Sequence, residues 1–224
     1  MNGGVSIFLD TCILMRIENL SEYKKGRLVD NINYLLSVLY SGKYTFYISN
    51  IIINELYNAL ENIGLTRYIF ELATTEDILN RMSITEQEKL KHSYINNNLS
   101  TTWNNLKKEW RKNKEYKKEY QTRVCSVFRD TLRILEDNNP NHICDFNGSN
   151  GEVIKNLIIS LKEEFQCLDT NDINNYLACK THDIDYLLTL DSDYDPLQNK
   201  SKNVKIINLR KIDQSEFIKL FPIM

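Results

Sequence analysis

The chain has 224 residues, 42% of them hydrophobic and 26% charged, the balance of an ordinary globular protein able to bury its own core. A formal net charge of −2 gives no global attraction to nucleic acid or acidic membranes, which excludes a strongly basic binding module but not an enzyme with its bases confined to one surface. No apolar stretch approaches the ~20 residues of a membrane span, and the N-terminus lacks the basic and apolar regions of a signal peptide, so no membrane association and a cytoplasmic location are expected.

In chain order, Val5-Ser6-Ile7-Phe8-Leu9 is an apolar run suited to a strand buried on both faces, and it ends at Asp10. A turn follows, then a helix whose Leu28, Ile32, Leu35, Leu36 and Leu39 share one face. Tyr44 to Ile48 is rich in aromatic and β-preferring residues and reads as a second strand. Ser49 or Asn50 can cap the next helix, with Ile52, Leu56, Leu60 and Ile63 at helical spacing, Glu55 beside that stripe and Gly64 as its stop.

From about 65 to 165 the chain becomes charged, rich in Asn and Lys, and helical in pattern. Leu99, Trp103, Leu106 and Trp110 form one stripe, and Tyr120, Val124, Val127, Phe128 and Leu132 another. Loops follow around Pro140 and at Asn147 to Gly151, then a helix marked by Ile154, Leu157, Ile158 and Leu161. Phe165 to Leu168 reads as a short strand. Asp169 or Thr170 can cap a helix running to about Thr181, with Asp172 in its first turn. A strand from Tyr186 to Leu190 then leads to Asp191; a strand at Val204 to Ile207 and a helix from Asp213 to Leu220 close the chain. Strands alternating with helices predict a three-layer α/β fold, a central parallel sheet flanked by helices, formed by a single domain over 1–224 with a helical insertion at about 65–165.

Four carboxylates stand out: Asp10 and Asp191 at strand ends, Glu55 and Asp172 on helices. A parallel sheet binds ligands at the carboxyl ends of its strands. Acids gathered there repel one another unless a cation lies between them, and hard divalent ions such as Mg²⁺ or Mn²⁺ take oxygen ligands of this kind. Taken singly each acid has an ordinary explanation: a turn residue for Asp10, an exposed helical charge for Glu55, a favourable partner of the helix dipole for Asp172, an acidic loop for Asp191. Their order and context together carry the chemical reading.

Other chemistries find little support. The five cysteines (Cys12, Cys125, Cys144, Cys167, Cys179) are scattered without a CxxC pair and are expected to be reduced; His92, His142 and His182 are far apart, with no HExxH. Asp191-Ser192-Asp193-Tyr194-Asp195 begins like a calcium loop, but Pro196 stands at the sixth position and Lys202 at the twelfth. Leu9-Asp10-Thr11-Cys12 lacks the second aspartate of haloacid-dehalogenase-like phosphatases. There is no P-loop and no GxGxxG.

Phe8-Leu9-Asp10-Thr11, Ser49-Asn50-Ile51-Ile52-Ile53-Asn54-Glu55-Leu56, Asp172-Ile173-Asn174-Asn175-Tyr176-Leu177-Ala178 and Leu188-Thr189-Leu190-Asp191-Ser192-Asp193-Tyr194 occur in an order that resembles the PIN-domain ribonucleases, including the VapC-like toxins of bacterial toxin–antitoxin pairs. The resemblance covers 1–63 and about 166–224, and the distance from Glu55 to Asp172 is longer than in compact members of that family. It implies a Mg²⁺- or Mn²⁺-dependent endoribonuclease. Asp10, Glu55, Asp172 and Asp191 would bind the metal, Asp193 would be an additional acid and Thr189 would support the site. Products would carry a 5′-phosphate and a 3′-hydroxyl. It further implies an RNA substrate, an antitoxin or other protein partner, and a homodimer, for which the sequence has no interface signature. A catalytically silent PIN fold serving as an RNA- or protein-binding scaffold and a small-molecule phosphatase are the alternatives. Within the insertion, Lys107, Lys108, Arg111, Lys112, Lys114, Lys117 and Lys118 lie among Trp110, Tyr116 and Tyr120, either a surface for unpaired bases and phosphates or a solvated helix with Glu109, Glu115 and Glu119 as i,i+4 partners.

Overall fold

The computed structural model describes residues 4–18, 25–61, 83–85, 87–88, 114–138, 156, 158–162, 167–198, 201 and 203–223. The expected stripe at Leu99 to Trp110, the Gly64 stop, the loops at 139–151 and the basic cluster from 107 to 112 lie outside the described residues. The chain divides into two compact units, one formed by 1–56 with 131–224 and the other by 57–130.

In the first unit four short strands, β1 (Ser6–Leu9), β2 (Thr45–Tyr47), β3 (Tyr186–Thr189) and β4 (Lys205–Asn208), form one sheet in the order β2-β1-β3-β4. Every pairing is parallel, with Phe8 opposite Tyr47 and Leu187, and Thr189 opposite Asn208. Ile7, Phe8, Leu9, Leu187 and Leu188 are fully buried, the condition under which a strand reads as a continuous apolar run. The helices that flank the sheet are α1 (Thr11–Glu18), α2 (Arg27–Tyr40), α3 (residues 50–61), α5 (Thr170–Thr181), α6 (Asp195–Gln198) and α7 (Gln214–Leu220). The arrangement is α/β and compatible with three layers. α4 (Lys114–Asn138) contains the expected helix with Val124, which is buried. In the second unit the rings of Tyr57 and Phe128 meet edge to face at 5.4 Å.

Three local expectations need correction. The segment after Asp10 is a helix, α1, rather than a turn: Ile13, Leu14 and Ile17 are buried at helical spacing, and the Asp10 carbonyl accepts from the amides of Ile13 at 3.0 Å and Leu14 at 3.4 Å. Cys167 and Leu168 are not in a strand; the Leu168 carbonyl accepts from Lys162 Nζ at 2.6 Å, a side-chain partner in place of a ladder. The loop after β3 contains the short helix α6.

At the amino edge of the sheet an aromatic cluster joins the C-terminal segment to α2, to the start of β2 and to β3. Phe221, fully buried, meets Tyr44 at 5.7 Å, Tyr186 at 4.8 Å and Phe217 at 5.3 Å, each ring edge to face. Tyr34 Oη donates to the Phe221 carbonyl at 2.8 Å and Tyr44 Oη to that of Pro222 at 2.9 Å. Tyr44 precedes β2 and Tyr186 begins β3, so the cluster lies at the edge remote from the strands' carboxyl ends. Nearby, Ser6 Oγ and Ser6 N both donate to Asp185 Oδ2 at 2.8 Å, and Asp185 N donates back to Ser6 Oγ at 2.9 Å, which locks the register of β1 against β3. Among the described residues no helix is long and apolar enough to cross a membrane.

Phe221→Ala should lower the unfolding free energy by about 3–5 kcal/mol in urea titrations, through loss of burial and of three edge-to-face contacts. A loss below about 1 kcal/mol would show that this aromatic cluster contributes little to the core.

Candidate active site

β1 and β3 are neighbours at the centre of the sheet, and the chain leaves them towards opposite edges, β1 to β2 and β3 to β4. This is a topological switch point, where the carboxyl ends of a parallel sheet open a crevice. Asp10 follows β1 there and extends the ladder, its amide donating to Leu188 O at 3.1 Å. The residue is only 8% exposed. A buried carboxylate is costly unless hydrogen-bonded, and three donors meet it: Thr189 Oγ1 to Oδ2 at 2.6 Å, Cys12 Sγ to Oδ2 at 2.9 Å and Thr11 N to Oδ1 at 2.7 Å. Hydrogen bonds to a charged group contribute about 1.5–3 kcal/mol each. Burial pushes the Asp10 carboxyl above its ordinary range; the three donors pull it down, and the Glu55 charge raises it further.

Thr189, the last residue of β3, is fully buried; its hydroxyl donates to Asp10, accepts from the Asp191 amide at 2.9 Å and lies 3.6 Å from Cys12 Sγ. Cys12 Sγ accepts from the Leu190 amide at 3.1 Å while donating to Asp10. Burial and the adjacent Asp10 charge push this thiol far up, so it is a neutral donor rather than a nucleophile.

Glu55 reaches the site from α3. Ser49 caps that helix, its Oγ accepting from the Ile52 amide at 3.2 Å and donating to Asn175 Oδ1 of α5 at 2.7 Å. Thr11 Oγ1 donates to Glu55 Oε2 at 2.6 Å and Asn171 Nδ2 donates to Oε1 at 2.6 Å. The residue after Asp10 and the residue before Asp172 thus clamp Glu55 between them.

Asp172 occupies the third position of α5 in a capping box: Asp169 Oδ1 accepts from the Asp172 amide at 2.8 Å, and Asp172 Oδ2 accepts from the Asp169 amide at 2.9 Å. Burial pushes its carboxyl up to about 6; the bond from the Asp169 amide lowers it, and the charges of Asp169 and Asp10 raise it. Tyr194, fully buried, donates from Oη to the Asp172 carbonyl at 3.3 Å. Its hydroxyl is held well above its usual range by burial and by the charges of Asp10 and Asp172.

Asp10, Glu55, Asp172 and Thr189 are therefore brought together. Asp191 and Asp193 lie in the following turn: Asp191 is exposed, with Oδ1 accepting from the Asp193 amide at 2.9 Å, and its carbonyl accepts from Asn208 Nδ2 at 3.0 Å. Asp191 is tied to Asp10 through the Thr189 hydroxyl. Sequence reasoning had no role for Thr11, Cys12, Asn171, Tyr194 or Asn208. Thr11, Cys12 and Asn171 are signalled only by lying within two residues of Asp10 or Asp172, and nothing in the sequence signals Asn208. Among the described residues, no group of three or more His, Cys, Asp or Glu side chains could hold a metal ion as they are oriented.

No family model matches the chain, and no curated protein or solved structure matches it.

The raised Asp172 carboxyl has a pH signature. Folded Asp172 binds a proton up to about pH 6, whereas the unfolded chain releases it near the ordinary value of 3.8. Stability therefore falls as pH rises through that window, and above it the folded state bears the full cost of the ionised group. In chelator, Asp172→Asn should raise the urea midpoint at about pH 7.5 and flatten its rise between about pH 6 and 4. An unchanged pH dependence would show that Asp172 ionises normally.

Proposed function

We propose that this chain is a PIN-like, Mg²⁺- or Mn²⁺-dependent endoribonuclease, with Asp10, Glu55 and Asp172 at its centre. The observation that carries the reading is Asp10, buried at the switch point between β1 and β3, within electrostatic reach of two further carboxylates. The donor set suits a hard divalent cation in kind: it is all oxygen, and among the described residues the charges acting on Asp10 and Asp172 are acids. The support is chemical rather than a preformed coordination shell.

Asp10, Glu55 and Asp172 would hold the ion, with Asp191 and Asp193 as outer acids. When bound, it would lower the pKa of water and stabilise charge on the phosphoryl oxygens. Thr189 holds the Asp10 carboxylate in place and carries the Asp191 backbone with it. Thr11 and Asn171 orient Glu55, which would serve as the acceptor for a proton of the attacking water. Hydrolysis adds that water across the O3′–P bond and leaves a 3′-hydroxyl and a 5′-phosphate. An RNA substrate, a protein partner such as an antitoxin, and a homodimer all belong to this reading.

A mixed single-stranded RNA pool incubated with Mn²⁺, with Mg²⁺ and with EDTA tests it. Cleavage should require the metal and vanish in Asp10→Asn, with cooperative thermal unfolding of the variant in EDTA showing that it still folds. Mn²⁺ binding without cleavage would favour a silent scaffold, and hydrolysis of a phosphomonoester but not RNA would favour a phosphatase.

A further inference from the structure

We infer that Cys12 is a positioning residue for Asp10, which fills one carboxylate oxygen with donors and leaves the other with acceptor capacity for a cation. The inference rests on the reading of Asp10 as a metal ligand. Each carboxylate oxygen has about two lone-pair sites. Oδ2 receives two donors, Thr189 Oγ1 at 2.6 Å and Cys12 Sγ at 2.9 Å, whereas Oδ1 receives one, the Thr11 amide at 2.7 Å. Oδ1 is therefore the oxygen with capacity to spare.

A thiol has a single proton, which goes to the better acceptor within reach. With the Leu190 amide donating to Cys12 Sγ at 3.1 Å, the choice lies between Asp10 Oδ2 at 2.9 Å and Thr189 Oγ1 at 3.6 Å, and the nearer, charged oxygen takes it. Leu190 follows β3 and Cys12 lies in the first turn of α1, which follows β1. Cys12 thus ties together the ends of the two strands between which the crevice opens. Thr189 reaches Oδ2 from β3 and Cys12 reaches it from α1, and two donors from different elements fix the carboxylate plane. Although a thiol is a weak donor, an ionised acceptor strengthens the bond. Without it, Oδ2 regains a free lone pair, and the Thr189 and Thr11 bonds alone hold the carboxylate.

A packing role alone predicts lost stability and unchanged metal binding; a positioning role predicts weaker metal binding that returns with any side chain carrying a hydroxyl or thiol proton. Mn²⁺ affinity of the full chain should be measured by calorimetry for the unsubstituted protein, Cys12→Ala and Cys12→Ser, with thermal unfolding in EDTA alongside. Cys12→Val, similar in volume and also without the donor, replaces the alanine variant if that one fails to fold. Loss of the donor should weaken Mn²⁺ binding about 10–100-fold, and serine should restore most of it. Unchanged affinity in folded Cys12→Ala or Cys12→Val would overturn the inference while leaving the metal site standing. No saturable Mn²⁺ binding by the unsubstituted protein would overturn both.

Discussion

The structure turns on one unfavourable act: a carboxylate is buried at the point where the sheet reverses its strand order. Burial alone would drive Asp10 to its neutral form, and Glu55 and Asp172 add negative charge nearby. What keeps it in place is a set of donors that only the folded chain can assemble. Thr189 comes from the far end of the sequence, Cys12 and Thr11 from the helix that Asp10 itself begins. The register of β1 against β3 decides whether Thr189 meets Asp10 at all. A one-residue slip would turn its hydroxyl to the opposite face.

The two edges of the sheet divide the work. The amino edge is stabilising throughout: the cluster around Phe221 and the reciprocal bonds of Ser6 and Asp185 fix the strands and both chain ends. The carboxyl edge is strained electrostatically, with like charges gathered by capping and clamping interactions. Ser49 and Asp169 fix the starts of α3 and α5, and the Ser49–Asn175 bond joins these helices, so Glu55 and Asp172 approach from rigid elements. A site that holds acids together against repulsion costs stability, a cost natural proteins accept where function needs it.

Much of the first unit was legible in the sequence because its physics is local. Fully buried parallel strands must be apolar, and all four central runs lie within a residue or two of their expected places; Ser49 and Asp169 act as the caps their side chains suggest. α1 escaped notice because its apolar residues continue directly from β1 and blur the change of period. The acids of the site were visible as residues but not as a geometry. Asp191 and Asp10 looked alike, each ending an apolar run, yet one is exposed in a turn and the other is buried. The clamp on Glu55 was illegible, since Thr11 and Asn171 are 160 positions apart in sequence and meet only through the fold.

The central claim is that these acids form the locus of a hard divalent cation. Anomalous diffraction from crystals grown with Mn²⁺ addresses it most directly. The account predicts a peak at the switch point, within about 2.2 Å of an Asp10 oxygen and bordered by Glu55 and Asp172. A peak elsewhere on the surface, or none at saturating Mn²⁺, would contradict it.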